Sequence, residues 1–568
     1  MAGADPVIRR RAAGDPERLP SSLHPVLRRV YAARGVQAHE LSLTLSDLLP
    51  PSGLLGIDAA AARLADAIER GEGIVVAGDY DADGATATAV AVLGLRALGA
   101  ADVHYVVPDR FRMGYGLSPA LAQMAAATGA RVLVTVDNGI ASLAGVETAR
   151  ALGLAVIVTD HHLPGPELPA ADAIVNPNQP GCRFASKALS GVGTMFYVLL
   201  AVRAELRRRG AFAVRPQPHL AELLDLVAIG TVADVVRLDH NNRILVEQGL
   251  RRIRAGRMRP GIEALLRCAG RQATRLDAQD LGFALAPRIN AAGRLDDMRI
   301  GIACLLAPDL AAAQPLAETL DRFNRERRDI QEQMQLDAQA LIEDAGRTGL
   351  CLFHPDWHEG VVGLVASRIK ELHHRPTIAF ARAQQEGELK GSGRSIPGLH
   401  LRDVLAAIDA RHPGLILRFG GHAMAAGLTL KAAHLAEFAA AFDATCAAQL
   451  DEVALERLIE TDGPLDAHEL NLDTARALEQ GGPWGQGFAE PLFEGTFEVV
   501  EARGVGSEGA HVRYRLRHDG GLTVTAIDFG GASRLCANGR VAAVYALSVD
   551  RHQGSEALNL RIVHLRPL

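Results

Sequence analysis

The stretch Gly78-Asp79-Tyr80-Asp81-Ala82-Asp83-Gly84 constrains this chain more than any other. Four apolar residues, Ile74-Val75-Val76-Ala77, precede it and read as a buried strand. An Ala-, Val- and Leu-rich segment over 86–98 follows it and reads as a buried helix. Asp79, Asp81 and Asp83 therefore sit where a strand ends and a helix begins, the edge at which open parallel sheets bind ligands. An extended backbone would point all three carboxylates to one side. Carboxylates that close repel one another unless a cation lies between them, and oxygen ligands suit Mg²⁺ or Mn²⁺. Taken alone, the stretch has a second reading, a solvated acidic turn.

The surrounding sequence alternates in period. Strands are expected over 73–79, 103–107, 131–137, 155–160 and 173–175, and helices over 57–69, 86–98, 118–127 and 142–152. This alternation implies βαβ units and a mostly parallel α/β sheet. Three of the strands end alike: in the aspartate triplet, in Asp137-Asn138-Gly139 and in Asp160-His161-His162. Parallel neighbours put these ends on one edge, where carboxylates and imidazoles converge. A lone Asp there is usually a cap, and a lone His a structural residue; the convergence argues for metal. Farther on, Asp234 lies in the apolar run 226–236, costly to bury unless it binds something, and is a candidate last ligand. Asp225, at the front of that run, is a ligand or a helix cap.

Length bounds the rest. The chain has 568 residues, too many for one core, so three or four domains are expected. No apolar run reaches membrane-spanning length, and residues 1–20 carry Arg9, Arg10 and Arg11 with no apolar stretch behind them. Six scattered cysteines form no CxxC pair, which fits reduced thiols in the cytoplasm better than disulfides or zinc. A net charge of −6 argues against a broad basic surface but leaves room for a local basic groove that holds nucleic acid.

Beyond the first sheet, Leu316, Leu320, Phe323, Ile330, Met334 and Leu341 mark a long amphipathic helix, with Arg325, Arg327 and Arg328 facing phosphate or water. Residues 346–455 read as a second α/β unit with two glycine-dense loops, around 391–393 and 420–421. Glycine lets backbone N–H groups come close to a phosphate, and Ser392, Arg394 and His422 add donors. Five short strands follow, over 497–500, 511–516, 522–529, 541–547 and 558–565, and fit a small OB-like barrel. Its few aromatics suggest phosphate tracking rather than base stacking, or a plain bracing role. Near the second strand, Arg110 and Arg112 are candidates to pair with phosphates and Tyr115 to stack on a base, or the segment is a packed loop with its arginines reaching for water.

Asp81-Ala82-Asp83, Thr135-Val136-Asp137, Asp160-His161-His162 and Thr231-Val232-Ala233-Asp234 resemble, in order and spacing, the four motifs of the DHH phosphoesterase superfamily. Pro287-Arg288-Ile289-Asn290-Ala291-Ala292-Gly293-Arg294, Trp357 to Gly363, Gly391 to Ser395 and Gly420 to Gly427 are similar to its RecJ branch. The resemblance covers roughly residues 50–568. One departure is Phe488-Ala489-Glu490, where relatives more often have Asn-Pro, and it touches only a loop detail.

The resemblance implies an N-terminal extension (1–45), a parallel-sheet DHH catalytic domain (46–255) and a helical connector with the long linking helix (256–345). A smaller α/β DHH-associated substrate-binding domain (346–455) and an OB-like nucleic-acid-binding barrel (456–568) complete it. It implies a 5′→3′ exonuclease that hydrolyses single-stranded DNA to mononucleotides with two Mn²⁺ or Mg²⁺ ions, in DNA repair and recombination. The implied ligands are Asp81, Asp83, Asp137, His161 and Asp234, with Asp79 beside them. Asp160 would orient a ligand histidine, and His162 would bind metal or hydrogen-bond the scissile phosphate and assist proton transfer. Arg110, Arg112 and Tyr115 would lie along the entering strand, and Arg288, Asn290 and Arg294 would also bind substrate. Ser392 and Arg394 would hold a terminal 5′-phosphate, and His422 with Gly421 its neighbour. The expected setting is a cytoplasmic monomer with no membrane contact, working beside a helicase and a single-strand-binding protein. Two competing readings are a shorter-substrate phosphodiesterase of the same superfamily and a single-strand-binding scaffold with a structural metal. The linking helix and the barrel favour a polymer substrate.

Overall fold

The computed structural model describes residues 5–110, 112–342, 346–506, 509–551 and 555–568. They form two compact units. One comprises Arg9–Ile289, Met298–Ala317 and Glu460–Leu568; the other is built on Glu318–Ile459 and Asn290–Asp297.

The first unit holds an all-parallel sheet in the order Val103–Val106, Ile74–Ala77, Val132–Val136, Ala155–Thr159, Ala173–Val175. Its central strands are buried along their whole length, which is why they read as continuous Val/Ile/Leu runs. The chain leaves Ile74–Ala77 for one edge, then returns to its other side at Val132–Val136. The strand order therefore reverses between these two, and in open α/β sheets that is where the strands' carboxyl ends part into a crevice. The helix Ala82–Ala97 packs against Gly191–Arg208 and Leu224–Ala233.

The same unit carries a closed five-stranded barrel in the order Phe493–Val505, His511–His518, Thr523–Asp528, Ala557–Pro567, Arg540–Asp550. Along His511–His518, Val512, Tyr514 and Leu516 are buried while Arg513, Arg515 and Arg517 are exposed, the alternation that a half-buried strand requires. The expected five strands are present. The first is longer than its sequence suggested and is bent by a bulge between Val499 and Glu501.

Residues of the N-terminal extension are tied to this C-terminal part. Tyr31 donates its hydroxyl to the Gly481 carbonyl at 2.7 Å. The Arg34 guanidinium forks onto Asp462 at 2.6 and 3.0 Å and also reaches the Ala489 carbonyl. Phe488 is buried, its ring stacked on Trp484 with centroids 4.9 Å apart, and the Arg243 guanidinium lies over the Phe488 ring at 4.3 Å. The departure at 488 is thus an aromatic anchor rather than a loop detail.

In the second unit, a mixed sheet runs Arg418–Gly421, Ala425–Lys431, Glu388–Arg394, Thr377–Arg382, Leu350–Phe353. The long helix spans Leu310–Leu341, beginning in the first unit and running into the second. Within the second unit Leu320, Phe323, Met334 and Ala338 are buried, while Leu341, its last residue, is 44% exposed. Arg325 pairs with Asp321 at 3.3 Å, and Arg327 bonds Asn324 and Gln331 along the same helix. No described helix is long and apolar enough to cross a membrane.

Candidate active site

The carboxyl ends of the parallel strands bring the expected ligands together, by a geometry that simple alternation misses. Asp79 follows Ile74–Ala77 after one residue, Gly78. Asp81 is extended and caps the next helix, its side chain accepting from the Gly84 N–H at 2.9 Å. The helix starts at Ala82, not at 86, so Asp83 lies in its first turn and not on an extended segment. The helical turn separates the three carboxylates. Asp79 and Asp81 join Asp137, and Asp83 joins His161 and Asp234. A third set, Asp137, His161 and His162, shares members with both. Within each set one ligand atom per residue lies within 4.8 Å of the others. Asp234 is not inside a helix but ends one, as the C-cap of Leu224–Ala233.

Two of these residues are held in ways the sequence did not announce. The Asp83 carboxylate accepts the N–H groups of Gly191 and Val192 at 2.6 and 2.9 Å, at the start of a helix capped by Ser190. A helix N-terminus favours a negative charge. Asp137 has a φ of 62°, a left-handed conformation that Asp tolerates better than most residues. A Cβ at Gly191 would lie 2.5 Å from the Asp137 Oδ1, so only glycine lets that helix come so close. The missed signal was Ser190-Gly191-Val192-Gly193, a capping serine followed by glycines, which marks a helix N-terminus that other groups can approach closely.

Burial sets the charges. It pushes the Asp137 and Asp79 carboxyls well above the usual range, and the neighbouring carboxylates add to this. Burial, then Asp234, raises Asp83 to about 7; burial, then Asp81, raises Asp234 to about 8. Burial lowers His161, keeping its imidazole neutral. Asp79 Oδ1, Asp137 Oδ1, Asp234 Oδ2 and His161 Nε2 are buried with no hydrogen-bond partner among the described residues. His161 Nε2 lies 3.1 Å from Asp137 Oδ1 and 3.4 Å from Asp234 Oδ2. A neutral imidazole nitrogen and three carboxylate oxygens, all unsatisfied and spread over ligand sets that share members, fit hard divalent cations. They also fail the rule that buried polar atoms find partners.

Asp160 stands apart from this set. One oxygen accepts from the His161 and His162 N–H groups and faces His162 Nδ1 at 2.8 Å; the other accepts from the Ile140 N–H at 2.9 Å. Burial opposes its ionisation, yet the bonded histidine holds it below the usual range. Burial likewise opposes a charged His162, but Asp160 outweighs it and raises His162 to about 9. It is therefore the His162 ring that Asp160 orients, while His161 receives only a backbone bond. Tyr115 donates its hydroxyl to the Asp137 carbonyl at 2.9 Å and lies 3.0 Å from a His162 ring nitrogen. Arg110 lies over the Tyr80 ring at 4.8 Å, and Arg112, largely exposed, is 3.7 Å from Asp109.

The remaining candidates fall on other elements. Arg288, Asn290 and Arg294 are on the helix Ala286–Leu295. Arg288 is buried and bonds the Ala284 carbonyl; Arg294 bonds the Gly360 carbonyl at 3.1 Å. Ser392 and Arg394 are 3.1 Å apart on one face of Glu388–Arg394. A Cβ at Gly363, in the first turn of Val362–His373, would lie 2.8 Å from the Ser392 hydroxyl and 3.0 Å from the Arg394 guanidinium. The expected loop around 391–393 is instead an interior strand, laddered on both sides. Its glycines exist for packing: a Cβ at Gly391 would lie 2.5 Å from the Phe380 ring and 2.7 Å from Leu428. The expected loop at 420–421 is the end of an edge strand, where Gly421, at a φ of 135°, opens a tight turn closed by the His422 N–H on the Ala425 carbonyl.

Comparison with known proteins gives three family matches: the DHH family, N-terminal domain, over 73–231; the DHHA1 domain over 342–448; and the RecJ OB domain over 461–564. The single-stranded-DNA-specific exonuclease RecJ of Dickeya dadantii is 52% identical over 574 aligned residues, 99% of each chain. The crystal structure of RecJ in complex with Mn²⁺ from Thermus thermophilus superposes with a TM-score of 0.83 at 32% identity, covering 99% of this chain and 80% of that one. The Mg²⁺ complex from the same organism gives 0.77 at 32% identity, covering 99% and 79%.

Proposed function

Since this chain belongs to the RecJ family of single-stranded-DNA-specific exonucleases, we propose that it removes mononucleotides from the 5′ end of single-stranded DNA by hydrolysis assisted by two divalent cations. It is a nuclease of the DHH type that binds a divalent metal. The observation that carries the reading is the set of four buried, partnerless ligand atoms at the point where the strand order reverses. Two ions suit it because the ligand sets share Asp137 and His161. Bound there, the cations would generate hydroxide from water and steady charge on the phosphoryl and leaving oxygens.

The chain's own groups do the rest. Asp79, Asp81, Asp83, Asp137, His161 and Asp234 supply the ligand atoms. Neutral His161 turns its Nε2 lone pair into the cluster. His162, kept charged by Asp160, offers an N–H to the scissile phosphate and a proton to the departing oxygen. Tyr115 ties the His162 ring to the strand end that carries Asp137. Arg110, Arg112, Arg288, Asn290 and Arg294 are substrate contacts in this proposal, and the barrel tracks phosphates through outward arginines such as Arg513. The five sequence segments divide the labour accordingly: catalysis in 46–255, connection in 256–345, end recognition in 346–455, strand holding in 456–568, and bracing by 1–45. A cytoplasmic monomer aided by a helicase and a single-strand-binding protein in repair and recombination completes the proposal.

End recognition rests on Ser392 and Arg394. A planar guanidinium, a hydroxyl and the start of a helix meet there, a donor set that matches a terminal phosphate. His422 and Gly421 would hold the next phosphate. Arg394→Ala should slow degradation of 5′-phosphorylated single strands more than that of matched 5′-hydroxyl strands. An equal loss on both would make Arg394 a general contact and return end recognition to Arg110 or Arg112.

A further inference from the structure

Asp234 closes its helix in a vulnerable way. The next residue, Val235, has a φ of 60°, a left-handed conformation that is a marked outlier for a β-branched side chain. Helix ends fray, and here the last turn is closed by two backbone bonds, from the Asp234 N–H to the Gly230 carbonyl at 3.0 Å and from the Val235 N–H to the Val232 carbonyl at 3.2 Å. Four residues past the aspartate, the Leu238 N–H donates to the carbonyl of Gln486 at 2.8 Å. Gln486 lies in the glycine-rich loop 481–488, which presses on the same short segment. A Cβ at Gly487 would lie 2.5 Å from the Arg237 Cγ, and one at Gly485 would lie 2.7 Å from the Leu238 Cδ1. The loop is itself held fast by a Gly485–Phe488 turn, by Tyr31 on Gly481, by Arg34 on Ala489 and by Arg243 over Phe488.

We infer that the loop 481–488 is a positioning element for the metal centre: by clamping residues 237–238 it fixes the strained turn that presents the Asp234 carboxylate to the cations. Gln486, Gly485 and Gly487 reach residues 237–238 and act through Asp234. The inference rests on Asp234 being a ligand, as proposed above. Outer partners that orient metal ligands are typically worth about 10–100-fold in affinity.

The test is Mn²⁺ binding to the metal-free full-length protein without DNA, read from the paramagnetic resonance signal of free Mn²⁺. Gly487→Ala adds a methyl against Arg237 and should weaken binding at one site about tenfold. Gly487→Ala with Arg237→Ala removes the atoms that methyl would strike and should recover the part of the loss that comes from that clash, while the strain of alanine at the Gly487 φ of 69° remains. Gly485→Ala, which meets the buried Leu238 side chain at a residue with no positive φ, is the milder arm should Gly487→Ala fail to fold, and should shift binding in the same direction. In DNA hydrolysis the Mn²⁺ needed for half-maximal rate should rise while KM for DNA at saturating Mn²⁺ stays. Asp234→Asn is the reference. If it binds Mn²⁺ like wild type, the ligand assignment falls and the clamp with it. If it weakens binding while the folded glycine variants do not, the clamp alone is overturned.

Discussion

Asp137 combines more demands than any other residue of the chain. It is buried, left-handed, short of a partner at Oδ1, and shared between two candidate ligand sets. Asp137→Ala should leave the fold in place, since relief of a buried, crowded carboxyl offsets the modest cost of alanine at a φ of 62°, yet lower turnover about 10³-fold or more, several kcal/mol of barrier. The check is single-turnover hydrolysis of single-stranded DNA at saturating Mn²⁺; near-wild-type turnover would remove Asp137 from the site. At this scale the sequence was informative, because carboxylates and imidazoles at consecutive strand ends announce themselves by type and position. That the N–H groups of Gly191 and Val192 hold Asp83 was not legible, since Ser190-Gly191-Val192-Gly193 marks a helix start but not which side chain its donors meet. Nor was the pairing of Asp160 with His162 rather than His161, which depends on side-chain rotation.

The strand Glu388–Arg394 shows where legibility fails for an element. Gly391 and Gly393 read as a phosphate-cradling loop because glycine serves both close approach to a ligand and close packing of side chains. The deciding neighbours, Phe380 and Leu428 for Gly391, Ile378 and Leu401 for Gly393, come from other strands and a helix that local pattern does not place. Gly391→Ala should therefore act on stability, costing about 1–3 kcal/mol by overpacking and lowering the melting temperature, with KM for DNA held. A raised KM at unchanged melting temperature would restore the phosphate-cradle reading. The parallel sheet and the barrel were legible because their periods of burial are long and regular. Their edges were less so: the helix after the aspartate triplet begins earlier than its apolar run, because Asp81 caps it.

Over the whole molecule, the acidic cluster makes stability depend on pH. Burial raises Asp83 to about 7 and Asp234 to about 8, against about 3.9 in an unfolded chain. The folded state then binds more protons than the unfolded state between these values, so the metal-free protein should lose stability as pH rises from about 4 to 8. Melting temperatures in a chelator at pH 6 and pH 8 test this. The metal-free protein should melt lower at pH 8, and Mg²⁺ should raise it more there than at pH 6; no pH difference without metal would contradict the charge balance. The organisation of the chain was only half visible in sequence: the change of pattern after about 455 sets the barrel off from what precedes it, but long-range ties within one unit such as Arg34 to Asp462 have no local signature. Those ties span 428 positions, and Tyr31 to Gly481 spans 450. A ribosome adds about 5–20 residues per second, so the two sides of such a contact emerge roughly 20–90 s apart. Through that interval the apolar face of Pro25–Ala33, with Val26, Val30 and Tyr31, has no cover from its distant partners. A nascent chain can thus already display every acidic and imidazole ligand while still lacking the loop that steadies Asp234, which delays the arming of a DNA-degrading enzyme until late in its own synthesis.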